Sequence, residues 1–415
     1  MKKITIIGLG YVGLPLAIEF AKKFKVLGFD ISKSRIYELK KGIDSNGEFK
    51  KNEILKKKIY FTDSERDVRD SDFYIITVPT PLKKNNMPDL APLKNASLIV
   101  GKKIKKGDII IYESTVYPGC TEDECVPILE KNSGLVYNVD FFCGYSPERI
   151  NPGDKKRRLC NIKKVVSGSN SKVLKIINDL YSQIITAGTH IAPSIQVAEA
   201  SKIIENVQRD VNISLMNEFA LIFEKLNLDT KEVLDAASTK WNFLNFKPGL
   251  VGGHCIGVDP YYLAYKSVKS GYKPKVLLNG RRVNNSISKN IFKSIQKKCI
   301  HSDIDLKKCK ILILGITFKE NCSDIRNSRV LNLHNHFKKL TNKVDVFDPH
   351  ANKDEVLKTF GIDLLNRISN KYHIVILAVA HNEFLKIDFK NILEKKYILY
   401  DVKSILPKKL VTLRL

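Results

Sequence analysis

Two clusters of residues in this 415-residue chain have types and spacings that could do chemistry. The first is the turn Gly8-Leu9-Gly10-Tyr11-Val12-Gly13, which follows an apolar run and opens a helical pattern. In such a turn the first glycine permits a tight bend, and the second lets a pyrophosphate approach the backbone. The third lets the helix pack on the strand, and the helix N-terminus offers N–H groups and partial positive charge to the phosphates. Asp30 closes the next apolar run, VLGFD, about 20 residues on, where a carboxylate receives a ribose 2′-hydroxyl. A carboxylate there repels a 2′-phosphate, so NAD is favoured over NADP. Arg35 argues the other way, and Asp30 is expected to dominate. The bland reading, a glycine-rich turn beside a surface aspartate, does not explain strand, turn, helix and acid in this order.

The second cluster is FKPGLVGGHCIGVDPYYL, residues 246–263, in which Gly249, Gly252 and Gly253 precede Cys255 and Asp259 follows it. A glycine-rich approach lets backbone N–H groups converge on an anion and leaves a thiol accessible. A thiol with a pKa of about 8.5 needs help to act as a nucleophile near neutrality. In an extended segment His254 points away from Cys255, so the two are not read as a dyad. From these residues alone Cys255 is either a packed core thiol or a nucleophile.

The elements that must position these clusters read as two α/β regions around a helical one. Strands are expected at 2–7, through VLGFD, and at 73–78, 108–112 and 139–143, with a helix from Leu14 to Phe24. Strands alternating with helices imply a parallel, doubly wound sheet. From Ser194 the pattern turns helical. Ile204, Val207, Val211, Leu215, Phe219 and Ile222 form one apolar stripe, with Ile195, Ile213, Met216 and Ala220 on the opposite face. A helix apolar on two sides is expected to be buried on two sides, as a connector between domains that also joins subunits. KILILG, KVDVFD, YHIVILAV and YILYDV then read as buried strands of a second α/β domain. The expected division is 1–193, 194–303 and 304–415: two Rossmann-like doubly wound domains joined by a long central helix and a helical dimerisation region.

Composition narrows the class. Hydrophobic content of 43% and charged content of 27% are ordinary for a globular protein. No apolar run approaches the ~20 residues that span a bilayer. Lys2, Lys3 and ITIIGLG resemble a signal peptide only superficially, because glycines break the run; a buried first strand in a cytoplasmic protein is expected instead. Eight cysteines without a CxxC signal neither a zinc site nor a dithiol; among the other histidines only His334 and His336 are closely spaced, and two residues apart on an expected helix they diverge, so no metal is expected. The net charge of +26 would suit a polyanion, as in an NAD-sensing nucleic-acid-binding regulator. The lysines are scattered along the whole chain with no nucleic-acid module, which favours an ordinary lysine-rich surface and no nucleic-acid partner.

Seven stretches together resemble the UDP-glucose/GDP-mannose dehydrogenase family: GLGYVGLP (8–15), VPTP (78–81), ESTVYPG (113–119), GYSPERINPGDK (144–155), AEASKIIEN (198–206), the GGHCIGVDPYY core, and FKENCSDIRNS (318–328). The wording is most similar to the branch acting on UDP-N-acetylglucosamine or UDP-N-acetylgalactosamine. The resemblance implies a four-electron oxidation of a sugar C6 hydroxymethyl by NAD, with Cys255 carrying a thiohemiacetal and then a thioester, in a homodimer or higher oligomer. It implies that Lys202 and Asn206 stabilise an oxyanion, that Glu148 is the base for thioester hydrolysis, and that Thr115 and Asp259 hold the water. An isolated Lys202 and Asn206 would read as a solvated polar face. Tyr11, Val12, Pro79, Thr80 and Thr115 join the glycines, Asp30 and Arg35 as cofactor contacts. Glu148, Arg149, Ile150, Asn151, Lys202, Asn206, Gly249, Gly252, Lys319 and Arg326 are implied substrate contacts, with Arg281 and Arg282 as candidates for the sugar or a neighbouring subunit. UDP-glucose and UDP-N-acetylmannosamine enzymes are the nearest alternatives. The product in this family is a building block of bacterial capsule or O-antigen.

Overall fold

Short runs of β-branched and apolar residues, ITII, FYII and IIIY, form strands buried on both faces, as inner strands of a parallel sheet must be. The computed structural model describes residues 2–56, 58–150 and 157–415, so the Asn151 expectation lies outside the described residues. By internal contacts the chain divides into two compact units, Met1–Glu205 with Tyr261–Tyr272, and Asn206–Pro260 with Lys273–Leu415.

The first unit is built on β1 (Lys3–Ile7), β2 (Lys25–Phe29), β3 (Ile59–Thr62), β4 (Phe73–Ile76), β5 (Ile109–Tyr112), β6 (Phe142–Tyr145), β7 (Lys164–Gly168) and β8 (Thr189–Ile191). They form one sheet in the order β3-β2-β1-β4-β5-β6-β7-β8. The first six follow the strand order of dinucleotide-binding sheets, whose ligand crevice opens where β1 meets β4. Ile4, Ile6, Phe20, Ile75, Ile111 and Ile177 share one core cluster. Only the β6–β7 pairing is antiparallel among the ladders of this sheet. β3, β7 and β8 do not stand out in the sequence: each is short, and charged or exposed residues interrupt its apolar pattern. The strand expected at 139–143 begins at Phe142, because Asn138 takes a left-handed turn at φ 62° and Val136 receives the turn's N–H groups.

The second unit holds β9 (Ile311–Leu314), β10 (Val344–Phe347), β11 (Tyr372–Leu377), β12 (Leu393–Asp401) and β13 (Leu413–Arg414), all parallel in the order β10-β9-β11-β12-β13. That order reverses direction between β9 and β11, which again fixes where a crevice can open. Ile287, Ile291 and Ile295 of the helix Lys275–His301 join the core under this sheet.

The central helix, Ile195–Leu226, is 32 residues long. Ile195, Met216 and Ala220 are buried. The opposite stripe is covered by the chain itself only in part: Val207 is buried, whereas Ile204 is 55% exposed, Leu215 43% and Ile222 46%. Burial on two sides is therefore met on one side and only partly on the other within a single chain. Among the described residues, no helix is long and apolar enough to cross a membrane.

Candidate active site

The three glycines of the first cluster do three different jobs in the first unit. Gly8 sits at φ +91°, and a Cβ there would stand 3.2 Å from the Thr77 carbonyl. Gly13 opens the helix Gly13–Phe20, and its Cβ would fall 1.8 Å from the Gly8 carbonyl oxygen, so helix and strand meet only because it has none. At Gly10 a Cβ would meet nothing within 4 Å, which leaves the backbone face open to a ligand. No side chain caps the helix N-terminus at Val12. Leu9 N–H donates to Asp30 Oδ2 at 2.8 Å and Ser32 N–H to Oδ1 at 2.9 Å, so the carboxylate is fixed beside the turn while remaining half-buried. This cradle fits a dinucleotide with an unmodified ribose. Arg35 is held against the same turn. Its guanidinium donates to the Leu9 carbonyl at 3.0 Å, to Ser45 Oγ at 3.0 Å and to Asp44 at 2.8 Å, so it braces the turn from behind.

The loops after β4, β5 and β6 come together at the carboxyl edge of the same sheet. Pro79 is exposed there, and Thr80 Oγ1 donates to the Thr115 carbonyl at 2.7 Å. Glu148 is 8% exposed; its Oε1 accepts the Ile150 N–H, and among the described residues its buried Oε2 has no partner. Arg149 pairs with Glu205 and donates to the Lys163 carbonyl at 2.9 Å. Sequence reasoning missed a second carboxylate here. Glu113 is fully buried, ion-paired with Lys164 at 2.5 Å and bonded by the Tyr181 hydroxyl. Burial, opposed by Lys164, pushes Glu113 up to about 7. Its only signal in the sequence is an acid placed directly after four buried strand residues. Lys202 is buried on the central helix, one turn before Asn206.

In the second unit, Cys255 lies in a turn, not an extended segment, and its carbonyl accepts the N–H groups of Val258 and Asp259 at 2.9 Å each. Those bonds start the helix Asp259–Lys269. Asp259, buried at its first position, accepts from Asn206 Nδ2 at 2.6 Å. His254 turns to Asp324, with Nδ1 3.5 Å from Oδ2. Gly252 is not an open anion cradle: a Cβ there would sit 2.5 Å from the Asn327 carbonyl, so this glycine serves close backbone packing. Asn327 Nδ2 also donates to the Gly253 carbonyl at 2.9 Å. Gly249 is held on both sides by one amide, its N–H donating to Asn217 Oδ1 at 2.8 Å and its carbonyl accepting from Nδ2 at 3.1 Å. All eight cysteines are thiols, and among the described residues no group of three or more His, Cys, Asp or Glu could hold a metal ion.

A crevice at the β9/β11 switch is lined by Thr317, Lys319, Arg329, Ala378, Leu250 and Lys403. Lys403, another residue the sequence reading missed, reaches to 3.4 Å from the Pro248 carbonyl, and burial draws its pKa down. Arg326 is gripped in two-pronged fashion by Asp324, at 3.0 Å from Nε and 2.6 Å from Nη2. Arg281 is not available to a sugar: it is 1% exposed and bound to Asp210 at 2.6 Å. Arg282, its neighbour, is exposed.

Three models of the UDP-glucose/GDP-mannose dehydrogenase family match in order: the NAD-binding domain over residues 2–185, the central domain over 196–286 and the UDP-binding domain over 312–408. The chain is 52% identical over 410 residues to UDP-N-acetyl-D-glucosamine 6-dehydrogenase of Salmonella typhi, covering 98% of this chain and 96% of that one. It is 50% identical to the enzyme of the same name from Pseudomonas aeruginosa, over 100% and 99% of the two chains. The solved UDP-D-ManNAc dehydrogenase of Pyrococcus horikoshii superposes with a TM-score of 0.90 at 29% identity, over 99% and 98% of the two chains. With its cradle for NAD, its cysteine loop and its C-terminal crevice, the chain belongs to the UDP-glucose/GDP-mannose dehydrogenase family as an NAD-dependent UDP-sugar dehydrogenase.

Proposed function

We propose that this enzyme oxidises the C6 hydroxymethyl of UDP-N-acetylglucosamine to the carboxylate, with Cys255 as covalent carrier. The observation that carries the reading is the placement of Cys255 at the mouth of a helix whose first residue, Asp259, binds Asn206. A thiol, an amide donor and a carboxylate are thereby fixed within one unit. NAD, when bound, accepts a hydride in each of two oxidations. The first leaves a C6 aldehyde and a proton. The thiol adds across that carbonyl, its sulfur bonding to carbon and its proton going to oxygen. Loss of a second hydride and a proton leaves a thioester. Glu148 then takes a proton from water as the water oxygen bonds to the acyl carbon, the C–S bond breaks, and uronate leaves with the thiol restored.

Lys202 and Asn206 stabilise the developing oxyanion in this scheme, while Thr115 and Asp259 hold the water. Gly8, Gly10, Tyr11, Val12, Gly13, Asp30, Pro79 and Thr80 bind NAD. Lys319, Lys403 and Gly249 take the nucleotide, and Arg149 and Ile150 flank the sugar. The parts at 1–193, 194–303 and 304–415 act as cofactor, dimerisation and nucleotide domains. Identity of half or more to two relatives named for UDP-N-acetyl-D-glucosamine, against 29% for the mannosamine enzyme, supports the choice of sugar. We also place the exposed stripe of Ile204, Leu215 and Ile222 in a homodimer interface and the enzyme in the cytoplasm, making a uronate for surface polysaccharide; elution only as a monomer in gel filtration would remove the dimer. The sugar is tested by kcat/KM for NADH formation with UDP-N-acetylglucosamine, UDP-N-acetylgalactosamine, UDP-N-acetylmannosamine and UDP-glucose. UDP-N-acetylglucosamine is expected to be fastest; faster turnover of the mannosamine or glucose nucleotide would overturn the assignment.

A further inference from the structure

The antiparallel pairing of β6 with β7 carries more than a sheet edge. Tyr145 and Ser167 pair in register, and Ser146 Oγ donates to the Val165 carbonyl at 2.7 Å. At the next step along the chain the ladder meets Pro147, which has no N–H to give. Lys164 takes over with its side chain: its ammonium donates to the Pro147 carbonyl at 3.0 Å. The residue immediately after that carbonyl is Glu148.

The ammonium is itself held by Glu113 Oε2 at 2.5 Å, and Tyr181 donates its hydroxyl to the other oxygen of Glu113. The Tyr181 ring also lies under the ammonium, 5.6 Å from its centroid. Glu113 and Tyr181 have no exposed surface and Lys164 is 2% exposed, so the whole cluster is buried. A buried ion pair is weak evidence for stability, because apolar residues of similar volume serve as well or better. What this pair does that apolar residues would not is bond a specific carbonyl at the base of the Glu148 loop. Glu113 is also close enough to Glu148 for the two carboxylates to feel one another, which contributes to the raised pKa of Glu113.

We infer that the buried Glu113–Lys164 pair is a positioning device for the acid–base step: it fixes the Pro147–Glu148 peptide so that Glu148 Oε2 meets the hydrolytic water. This rests on the role proposed above for Glu148. Neither Glu113 nor Lys164 touches substrate in this scheme, so hydride transfer to NAD does not depend on them, whereas thioester hydrolysis does. General-base catalysis contributes ~10²–10⁴-fold, and misplacement of a group by about 1 Å forfeits much of that.

The test is single-turnover chemistry on the full chain with NAD in excess and UDP-N-acetylglucosamine limiting. The parent is compared with Glu113→Gln/Lys164→Met, in which both charges go together. NADH and uronate are counted in quenched samples, and acyl-enzyme on Cys255 is read by intact mass. The expected result is NADH formation within about twofold of the parent, uronate release slowed at least about tenfold, and acyl-enzyme accumulating. Equal slowing of both, or no change in either, overturns the positioning role. Should the double variant not fold, Glu113→Gln keeps the side-chain shape and one acceptor oxygen for Lys164 while its NH2 turns a donor toward the Tyr181 oxygen, and it is held to the same criterion with a lag of about threefold. Glu148→Gln separates the inference from the reading beneath it. No acyl-enzyme in that variant means the thioester scheme itself has failed; acyl-enzyme there but not in the pair variant means that only the positioning role has.

Discussion

The turns after β1 and β9 are built alike and used differently. Gly8 and Gly315 both sit near φ +90°, and each donates its N–H to the last residue of the neighbouring strand, Phe29 or Phe347, at 2.8 Å. In each, the next N–H is received by an aspartate just past that strand, Leu9 by Asp30 at 2.8 Å and Ile316 by Asp348 at 2.6 Å. There the likeness stops. Asp30 stays half-buried, whereas Asp348 is 3% exposed and covered by His381 Nε2 at 3.1 Å. The first turn enters a helix at Gly13, so uncapped helix N–H groups lie at the turn; the second wanders to Val330 before a helix begins. One turn therefore offers backbone and helix charge to a dinucleotide. The other is locked by its own aspartate and leads into a crevice lined by Thr317 and Lys319. The lesson is that a strand-end aspartate marks a Rossmann-like turn, and its exposure says whether it reads a ribose or braces a loop.

The difference can be broken most severely at Gly13. Gly13→Ala puts a methyl 1.8 Å from a backbone carbonyl, so it should cost about 3 kcal/mol or more and abolish NAD binding. Denaturant melts with and without NAD measure both; a stable variant with normal NAD affinity would mean the turn is not close-packed. A smaller effect is expected on the locked side. Burial alone would raise the Asp348 carboxyl, but the His381 ring and four backbone N–H groups outweigh it and hold the group down at about 2, below the usual 3.8. A depressed folded pKa gives stability that is present above the unfolded value near 4 and lost as pH falls through 2, worth about 2 kcal/mol. Asp348→Asn should flatten stability against pH across that window in chemical denaturation, and an unchanged slope would refute the lock.

Gly10→Ala sharpens the contrast because the added methyl touches no protein atom. Its Tm is expected to match the parent while KM for NAD rises about tenfold, roughly 1.4 kcal/mol; a lowered Tm would show that Gly10 serves packing. The smallest effect is expected for Asp30→Ala, whose preference for NAD over NADP should fall about fivefold in kcat/KM ratios. No change in that ratio would mean the ribose is read elsewhere.

Much of this was legible in the sequence because its logic is local. Gly8, Gly10, Gly13 and Asp30 act within one strand–turn–helix unit, so spacing alone places them, and Lys202 and Asn206 share a helix face by arithmetic. The strands with unbroken apolar runs were equally plain. Partnerships across the fold were not: Glu113 and Lys164 lie 51 positions apart, and nothing in either neighbourhood names the other. Arg35 and Arg281 look like ligand contacts in sequence because a guanidinium suits both phosphate and a buried carboxylate. Only the structure shows them committed to Asp44 and Asp210. Asp348 escaped notice because its turn lacks the second and third glycines. The central helix is apolar on two faces, and periodicity does not say which of them the chain itself covers.

In the mechanism proposed above, Cys255 links two oxidations without release of the aldehyde. The direct test is to supply limiting UDP-N-acetylglucosamine with excess NAD and count NADH at completion. Two NADH per sugar, with uronate as the sole product, is the result the account predicts. One NADH per sugar, or two from Cys255→Ser as readily as from the parent, would contradict it.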